Sequence, residues 1–367
     1  MIYDNLVLKD LSEKKFVFTT DKKVKMHSKE TEINDKLSSI IGDRFVEYRK
    51  KFDAVNKFEM ETDFPLYMQI ELHQICNLQC PMCSIGAPEA NQKYVTDQKM
   101  SWETFERIIL ECEKYQCPSL NPQGINEPLL TSNLEDHIRF AKKHGFVDIM
   151  MNTNATLLSE ERAKKILESG LTRIRFSLDA ATKETYDKIR IGGDYEKVIK
   201  NIERFLDIKE KGGYELPIVG VNLCKMKTNE HEVEQFMEMW ENKVDFVAIQ
   251  NFTPPELQSD YSNFIPTESE YNDSMVKNFR CEQPWQRIYI KNNGAICPCC
   301  TFFNEELVLG NISNKTIHEL WNSQEMKSLR QLHKEGRYYD NPWCNSCVKC
   351  TTGKTDDELI KLRTSNN

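Results

Sequence analysis

The sequence predicts an α/β fold built on a parallel sheet, and three observations lead there. Between residues 66 and 250, short apolar segments of strand length alternate six times with amphipathic segments of helix length. Right-handed crossovers fold that pattern into a parallel sheet, either wound flat or curled toward a barrel. Of 367 residues, 39% are hydrophobic and 29% charged, enough apolar side chain for one large core with or without a smaller satellite. The first apolar segment also runs straight into a cysteine-dense loop, "CNLQCPMC" at 76–83, where parallel sheets carry their ligand loops.

Taken in order, residues 1–66 read as a charged, irregular extension with one helix around "DKLSSIIGDRFVEYRKKF". "LYMQIEL" (66–72) is the first strand. "SWETFERIILECEKY" follows as a helix, with Ser101 as N-cap and Trp102, Phe105, Ile108, Ile109 and Cys112 on one face. A short strand is expected near "SLNPQ" (119–123), then the helix "NLEDHIRFAKKHG", stopped by Gly145. The strand "VDIMMN" leads to "SEERAKKILESG", capped by Ser159 and ended by Gly170. "RIRFSLD" is a strand, "KETYDKIR" a helix start and "DYEKVIKNIERFLDIKEKGG" a longer helix. "PIVGVNL", the helix "NEHEVEQFMEMWEN" and the strand "VDFVAIQ" close the series. Prolines and polar residues break the rhythm at 254–280. The expected division is an extension (1–66), a core (67–253), a cysteine-rich C-terminal domain (254–353) and a tail (354–367), with no internal repeat.

Acid and base are interleaved, with a net charge of −8. A nucleic-acid binder of this size would show a basic face, so nucleic acid is not an expected partner. No apolar run reaches membrane-spanning length and no secretory signal layout opens the chain, so the expectation is a cytoplasmic protein without a membrane partner. The thirteen cysteines are odd in number and clustered, which in a reducing compartment points to metal or redox chemistry. Cys76, Cys80 and Cys83 form one group. Cys281, Cys297, Cys299, Cys300, Cys344, Cys347 and Cys350 form another, and Cys112, Cys117 and Cys224 lie between.

Three thiolates from one loop are one short of a closed zinc site. His73 precedes the loop on the strand. Unrelated buried cysteines and zinc remain alternatives, but an iron–sulfur cluster with one iron left open fits the count better. The C-x3-C-x-Φ-C spacing, with Met82 at Φ, resembles the signature of the radical S-adenosylmethionine enzymes. That resemblance implies a partial (β/α)6 TIM-type barrel and a [4Fe–4S] cluster on Cys76, Cys80 and Cys83, with S-adenosylmethionine on the open iron. It also implies reductive cleavage to a 5′-deoxyadenosyl radical, with the electron from a flavodoxin- or ferredoxin-like donor.

Further residues match the family in order. "GINEPLL" (124–130) stands where the family carries its GGEP-like motif, with Ile125 and Asn126 in place of the glycines and Glu127 and Pro128 retained. The resemblance implies that Glu127 holds the methionine amino group, with Asn126 and Asn154 of "NTNATLL" at the same site, and Ser177 and Arg190 on the methionine carboxylate.

The segment "CEQPWQRIYIKNNGAICPCC", then "LGNISNKTIHELWNS" and "PWCNSC", resembles the SPASM/twitch extension of these enzymes. By that resemblance Cys281, Cys299, Cys344 and Cys347, separated by gaps of 17, 44 and 2 residues, hold one auxiliary [4Fe–4S] cluster in the arrangement of the aminocyclitol dehydrogenase branch. Cys297, Cys300 and Cys350 are then surplus. A zinc ribbon at 297–300 and 344–350 is the alternative.

A cluster with four protein ligands has no open site for substrate, so electron transfer is its expected role. The leading expectation is oxidation or epimerisation of a small carbohydrate or aminocyclitol-type substrate. Cys224, Cys297 and Cys300 are the candidate hydrogen donors for an epimerase. Peptide or protein modification is the other enzymatic reading. It is disfavoured because residues 1–66 show no clear three-strand pattern of the kind a peptide-recognition element carries. A binding module without catalysis would leave the open three-cysteine site unexplained.

Overall fold

The structure, a computed structural model, describes the backbone of residues 6–8, 17–19 and 24–26, and residues 30–86, 96–254, 261–267, 276–277, 279–299 and 307–364. Three short strands open it: β1 (Leu6–Leu8), β2 (Val17–Thr19) and β3 (Val24–Met26), paired antiparallel in sequence order. Two helices follow, α1 (Glu30–Ile41) and α2 (Asp43–Asn56), where one was expected. The break is at Gly42. Its φ of 88° is a conformation that side-chain-bearing residues resist, and it lets the chain turn between the two helices. The extension therefore does contain three strands, contrary to the sequence reading.

The core follows the expected alternation. In order come β4 (Tyr67–Ile70), a two-strand ribbon of β5 (His73–Gln74) and β6 (Thr96–Lys99), α3 (Trp102–Lys114), β7 (Ser119–Asn121) and α4 (Leu134–Lys143). Next are β8 (Asp148–Thr153), α5 (Glu160–Leu167), β9 (Arg173–Ser177), α6 (Lys183–Ile189) and α7 (Tyr195–Lys211). Then come β10 (Ile218–Lys225), α8 (Val233–Trp240) and β11 (Phe246–Asn251). The side chains of Ser101 and Ser159 accept the N–H of Thr104 and Arg162, so both expected N-caps are made. Phe105, Ile108, Ile109 and Cys112 are fully buried on α3, whereas Trp102 stays 39% exposed.

The C-terminal region adds α9 (Gln283–Gln286), β12 (Arg287–Ile290), β13 (Ala295–Cys297) and β14 (Gly310–Asn311). It ends with α10 (Ile317–Trp321), α11 (Gln324–Lys334), α12 (Pro342–Thr352) and α13 (Asp356–Thr364).

The strands form one sheet in the order β1-β2-β3-β11-β10-β9-β8-β7-β4-β12-β13-β14. From β11 to β4 the six core strands are parallel neighbours. At one border β3 pairs antiparallel with β11, and at the other β12 pairs parallel with β4. The result is a partial (β/α)6 barrel. Its N-terminal end is closed by α1 and α2. Phe45, Tyr48, Phe52 and Val55 are buried against Leu66, which precedes β4, and against Ile218 and Phe246, the first residues of β10 and β11. Trp285 joins this cluster, edge-on to Phe58 at 4.8 Å. With that end plugged by aromatic side chains, the loops at the C-terminal ends of the strands are left to form a site.

Candidate functional site

A cavity of about 260 Å³ lies at the C-terminal ends of the parallel strands, lined by Cys76, Leu78, Cys80, Met82, Cys83 and Ile85 of the first loop and by the ends of β8, β9, β10 and β11. The first loop is wound tightly. Cys83 N–H donates to the Cys80 carbonyl and Gly86 N–H to that of Cys83. A Cβ on Gly86 would lie 2.3 Å from the Cys80 carbonyl oxygen, so only glycine closes this turn. Cys76, Cys80 and Cys83 all face the cavity.

The other residues singled out from sequence gather around them. Met82, Asn126, Glu127, Asn154, Ser177 and Arg190 line the same cavity. Glu127 is a hub: Oε1 accepts from Leu129 N–H (3.0 Å) and Thr153 Oγ1 (2.6 Å), and Oε2 accepts from Asn154 N–H (2.7 Å). Burial pushes its carboxyl above the usual range while those donors pull it back. Asn154 Nδ2 donates to Asn77 Oδ1 (3.0 Å) and stands 4.0 Å from Cys76 Sγ. Arg190 extends from the C-terminal end of α6, with Nη1 3.8 Å from Cys80 Sγ and Nη2 2.6 Å from Asp179 Oδ2. Burial alone would weaken that cation, but Asp179 and then Cys80 hold it firmly protonated.

Asp179 carries a second load, since its Oδ1 accepts the backbone N–H of Cys224 at 2.8 Å. It does so from a left-handed conformation, φ 63°, which Asp tolerates better than most residues. The sequence marked Ser177 in "RFSLDA" and passed over Asp179, because a carboxylate two residues past a strand end has no motif of its own. Gln123, Asn222 and Gln250 were also passed over, although each lines the cavity.

Burial, as the leading cause, pushes the thiol of Cys76 up to about 11 and that of Cys80 to about 12. Such thiols keep their protons until a metal replaces them. Among the described residues, no three His, Cys, Asp or Glu side chains converge on the position of a single ion. Thiols spread along a cavity wall fit a cluster, whose irons take one sulfur each.

The second cysteine group also assembles. Burial raises the Cys281 and Cys344 thiols; Glu282 adds to the rise at Cys281, and Cys299 and Cys347 act on both thiols in the same direction. Asn341 caps α12 by accepting the N–H of Trp343 and Cys344, which fixes Cys344 and Cys347 three residues apart on one helix face. His333 of α11, not predicted from sequence, reaches this group: Nδ1 accepts the Cys281 N–H (3.4 Å) and Nε2 lies 3.3 Å from Cys344 Sγ.

The remaining cysteines divide differently from the expectation. Cys224 and Cys350 line the central cavity, and so does Cys347. Cys297 is fully buried in β13 opposite Tyr289 and is not among the residues that line this cavity. Cys300 lies outside the described residues. None of the described cysteines forms a disulfide. No helix among the described residues is long and apolar enough to cross a membrane.

Comparison with known proteins agrees with this geometry. Residues 70–239 match the radical SAM superfamily model, and residues 281–351 match that of an iron–sulfur cluster-binding domain, SPASM. A tungsten-containing aldehyde ferredoxin oxidoreductase cofactor-modifying protein of Pyrococcus furiosus is 26% identical over 336 residues, covering 79% of this chain and 90% of its own. A probable GTP 3′,8-cyclase of Methanocaldococcus jannaschii is 30% identical over 212 residues, covering 57% of this chain and 67% of its own. Among solved structures, anSMEcpe with bound AdoMet superposes with a TM-score of 0.58 at 18% identity, over 81% of this chain and 96% of that one. BtrN in complex with AdoMet and 2-DOIA superposes at 0.50 and 16% identity, over 81% and 99%. With three cysteines on a glycine-closed loop at the mouth of a partial barrel and a second cysteine group beside it, this chain belongs to the radical SAM superfamily and carries a SPASM domain, and its cofactors are a [4Fe–4S] cluster, auxiliary iron–sulfur and S-adenosylmethionine.

Proposed function

We propose that this enzyme abstracts hydrogen from a small carbohydrate or aminocyclitol-type substrate and oxidises an alcohol to a carbonyl. The observation that carries the reading is the shared cavity: Cys347 and Cys350 of α12 line the same space as Cys76, Cys80 and Cys83. When bound, the first cluster would supply the electron that cleaves S-adenosylmethionine to methionine and a 5′-deoxyadenosyl radical. After hydrogen abstraction the substrate would release its hydroxyl proton to solvent and its remaining electron to the auxiliary cluster. Cys76, Cys80 and Cys83 hold the first cluster. Cys281, Cys299, Cys344 and Cys347 hold a single auxiliary one, and the reductant is of flavodoxin or ferredoxin type. Glu127 receives the methionine ammonium with the lone pairs that its three protein donors leave open, and Arg190 and Ser177 face the methionine carboxylate. Substrate hydroxyls find acceptors in Asn222 Oδ1 and Gln250 Oε1, buried at the cavity with no partner in the described structure. Buried acceptors of this kind favour a ligand rich in O–H groups.

A second reading, peptide modification, is favoured by the three antiparallel strands and two helices that precede the barrel. The names of the two relatives differ in substrate and choose neither reading. Anaerobic incubation with S-adenosylmethionine and dithionite separates them. The enzyme should release 5′-deoxyadenosine slowly alone and faster with aminocyclitols or sugars, yielding a new carbonyl. Stimulation by cysteine-bearing peptides and by no polyol would move the assignment to peptides. One solvent deuteron at an inverted carbon in heavy water would make it an epimerase, with Cys224 on the cavity wall as the hydrogen source.

A further inference from the structure

His333 stands at the C-terminal end of α11, 2% exposed, between two of the cysteines assigned to the auxiliary cluster. Its ring makes two directed contacts. The backbone N–H of Cys281 donates to Nδ1 at 3.4 Å, and Nε2 faces Cys344 Sγ at 3.3 Å. The first contact fixes the second. A ring nitrogen that accepts carries no hydrogen, so the neutral imidazole bears its hydrogen on Nε2 and donates it to sulfur. The ring does not hold its helix in place alone. One turn earlier, Arg330 Nε donates to the Pro284 carbonyl at 2.8 Å and its guanidinium lies 4.1 Å from the Trp321 ring centre. Met326 anchors the other end of the same face in the core. Residue 333 can therefore change while α11 stays docked.

We propose that His333 is a positioning residue of the auxiliary centre, whose Nε2–H hydrogen bond to the Cys344 sulfur raises that cluster's reduction potential. The physical reason is charge. Reduction adds an electron that is shared with the ligating sulfurs, and a donor aimed at one of them stabilises the reduced form more than the oxidised form. An auxiliary centre so tuned is a better acceptor for the electron of a substrate radical. The inference rests on the assignment of Cys281 and Cys344 as ligands of an auxiliary cluster.

The test uses the full chain carrying Cys76→Ala, Cys80→Ala and Cys83→Ala, reconstituted anaerobically so that only the auxiliary cluster remains, and titrated potentiometrically with the reduced cluster followed by EPR. Adding His333→Leu keeps bulk and removes the donor. At a fixed poise it should raise the oxidised-to-reduced ratio about tenfold, a fall of about 59 mV for a one-electron couple. His333→Gln, whose amide N–H can reach the same sulfur, should recover most of that shift. Iron content should be equal in all three proteins. A leucine variant with full iron and the parent potential overturns the proposal alone. Iron lost from both the leucine and the glutamine variants also overturns it, by making the ring a ligand or a packing element. A triple variant that binds no iron overturns the ligand assignment, and the proposal with it.

Discussion

Arg190 reaches Cys80 because Asp179 holds its other nitrogen, and both groups are nearly closed to water, at 13% and 1% side-chain exposure. Removing one partner of such a pair strands the other charge. Asp179→Ala should cost about 3–5 kcal/mol, read as a shift of the denaturant midpoint under anaerobic conditions. Asp179→Asn should cost less, since Asn accepts the same left-handed backbone and can keep the Cys224 N–H bond. A loss below about 1 kcal/mol for the alanine variant would mean that the pair is no better than a surface one. Gly86 works through shape alone. Gly86→Ala should push the Cys80 backbone aside and remove about four irons per chain, the content of one cluster, with the auxiliary centre intact. Full iron in that variant would show the loop to be more pliant than its 2.3 Å approach implies. At this scale the sequence was half legible. Cysteine spacing announced three sulfurs, because ligand geometry imposes spacing. Asp179, His333 and the cavity amides stayed hidden, because each acts on groups distant in sequence and obeys no spacing rule.

The loop between β9 and α6 is tied down by a carboxylate from across the fold. Glu232 accepts from the N–H groups of Ala181 and Thr182 and from the hydroxyls of Thr182 and Thr185. It thereby caps the N-terminus of the helix whose far end delivers Arg190. Burial opposes ionisation, but those donors outweigh it and hold Glu232 below the usual carboxylate value of 4.5. The sign follows: a lowered folded pKa contributes stability above pH 4.5 that is lost as pH falls through the lowered value. Glu232→Ala should cost about 1–3 kcal/mol near pH 7, and the gap from the parent should narrow on acidification. A gap that widens instead would mean the carboxylate is held protonated. Helices with clean periodicity and a serine cap, such as α3 and α5, were readable to within a residue or two. The split at Gly42 was not foreseen, since glycine inside a helical pattern costs only about 1 kcal/mol and does not announce a break. Nor was the parallel pairing of β12 with β4, because four-residue strands more than two hundred positions apart leave no local trace.

Across the whole molecule, one end of the barrel is sealed by the aromatic face of α1 and α2 while the other holds the chemistry. The extension that looked irregular from its charge is the plug, legible only once Phe45, Tyr48 and Phe52 are seen facing inward together. At the working end, Cys344→Ala with Cys347→Ala should leave S-adenosylmethionine cleavage intact and abolish the oxidised product, by chromatography of 5′-deoxyadenosine against carbonyl formation. Unimpaired product would reduce the C-terminal domain to a scaffold. Helix α12 gives that domain a further part to play. It carries the proposed ligands Cys344 and Cys347, and with Cys347, Cys350 and Thr351 it also forms one side of the reaction chamber. The tightness of the chamber is thus tied to iron supply. A chain loaded only at Cys76, Cys80 and Cys83 would generate its radical behind a panel not yet fastened, within reach of the C–H and S–H groups of the chain itself. With Cys344 and Cys347 as ligands, seating the auxiliary cluster would fasten that wall, so the chamber and its electron acceptor would be completed in one event.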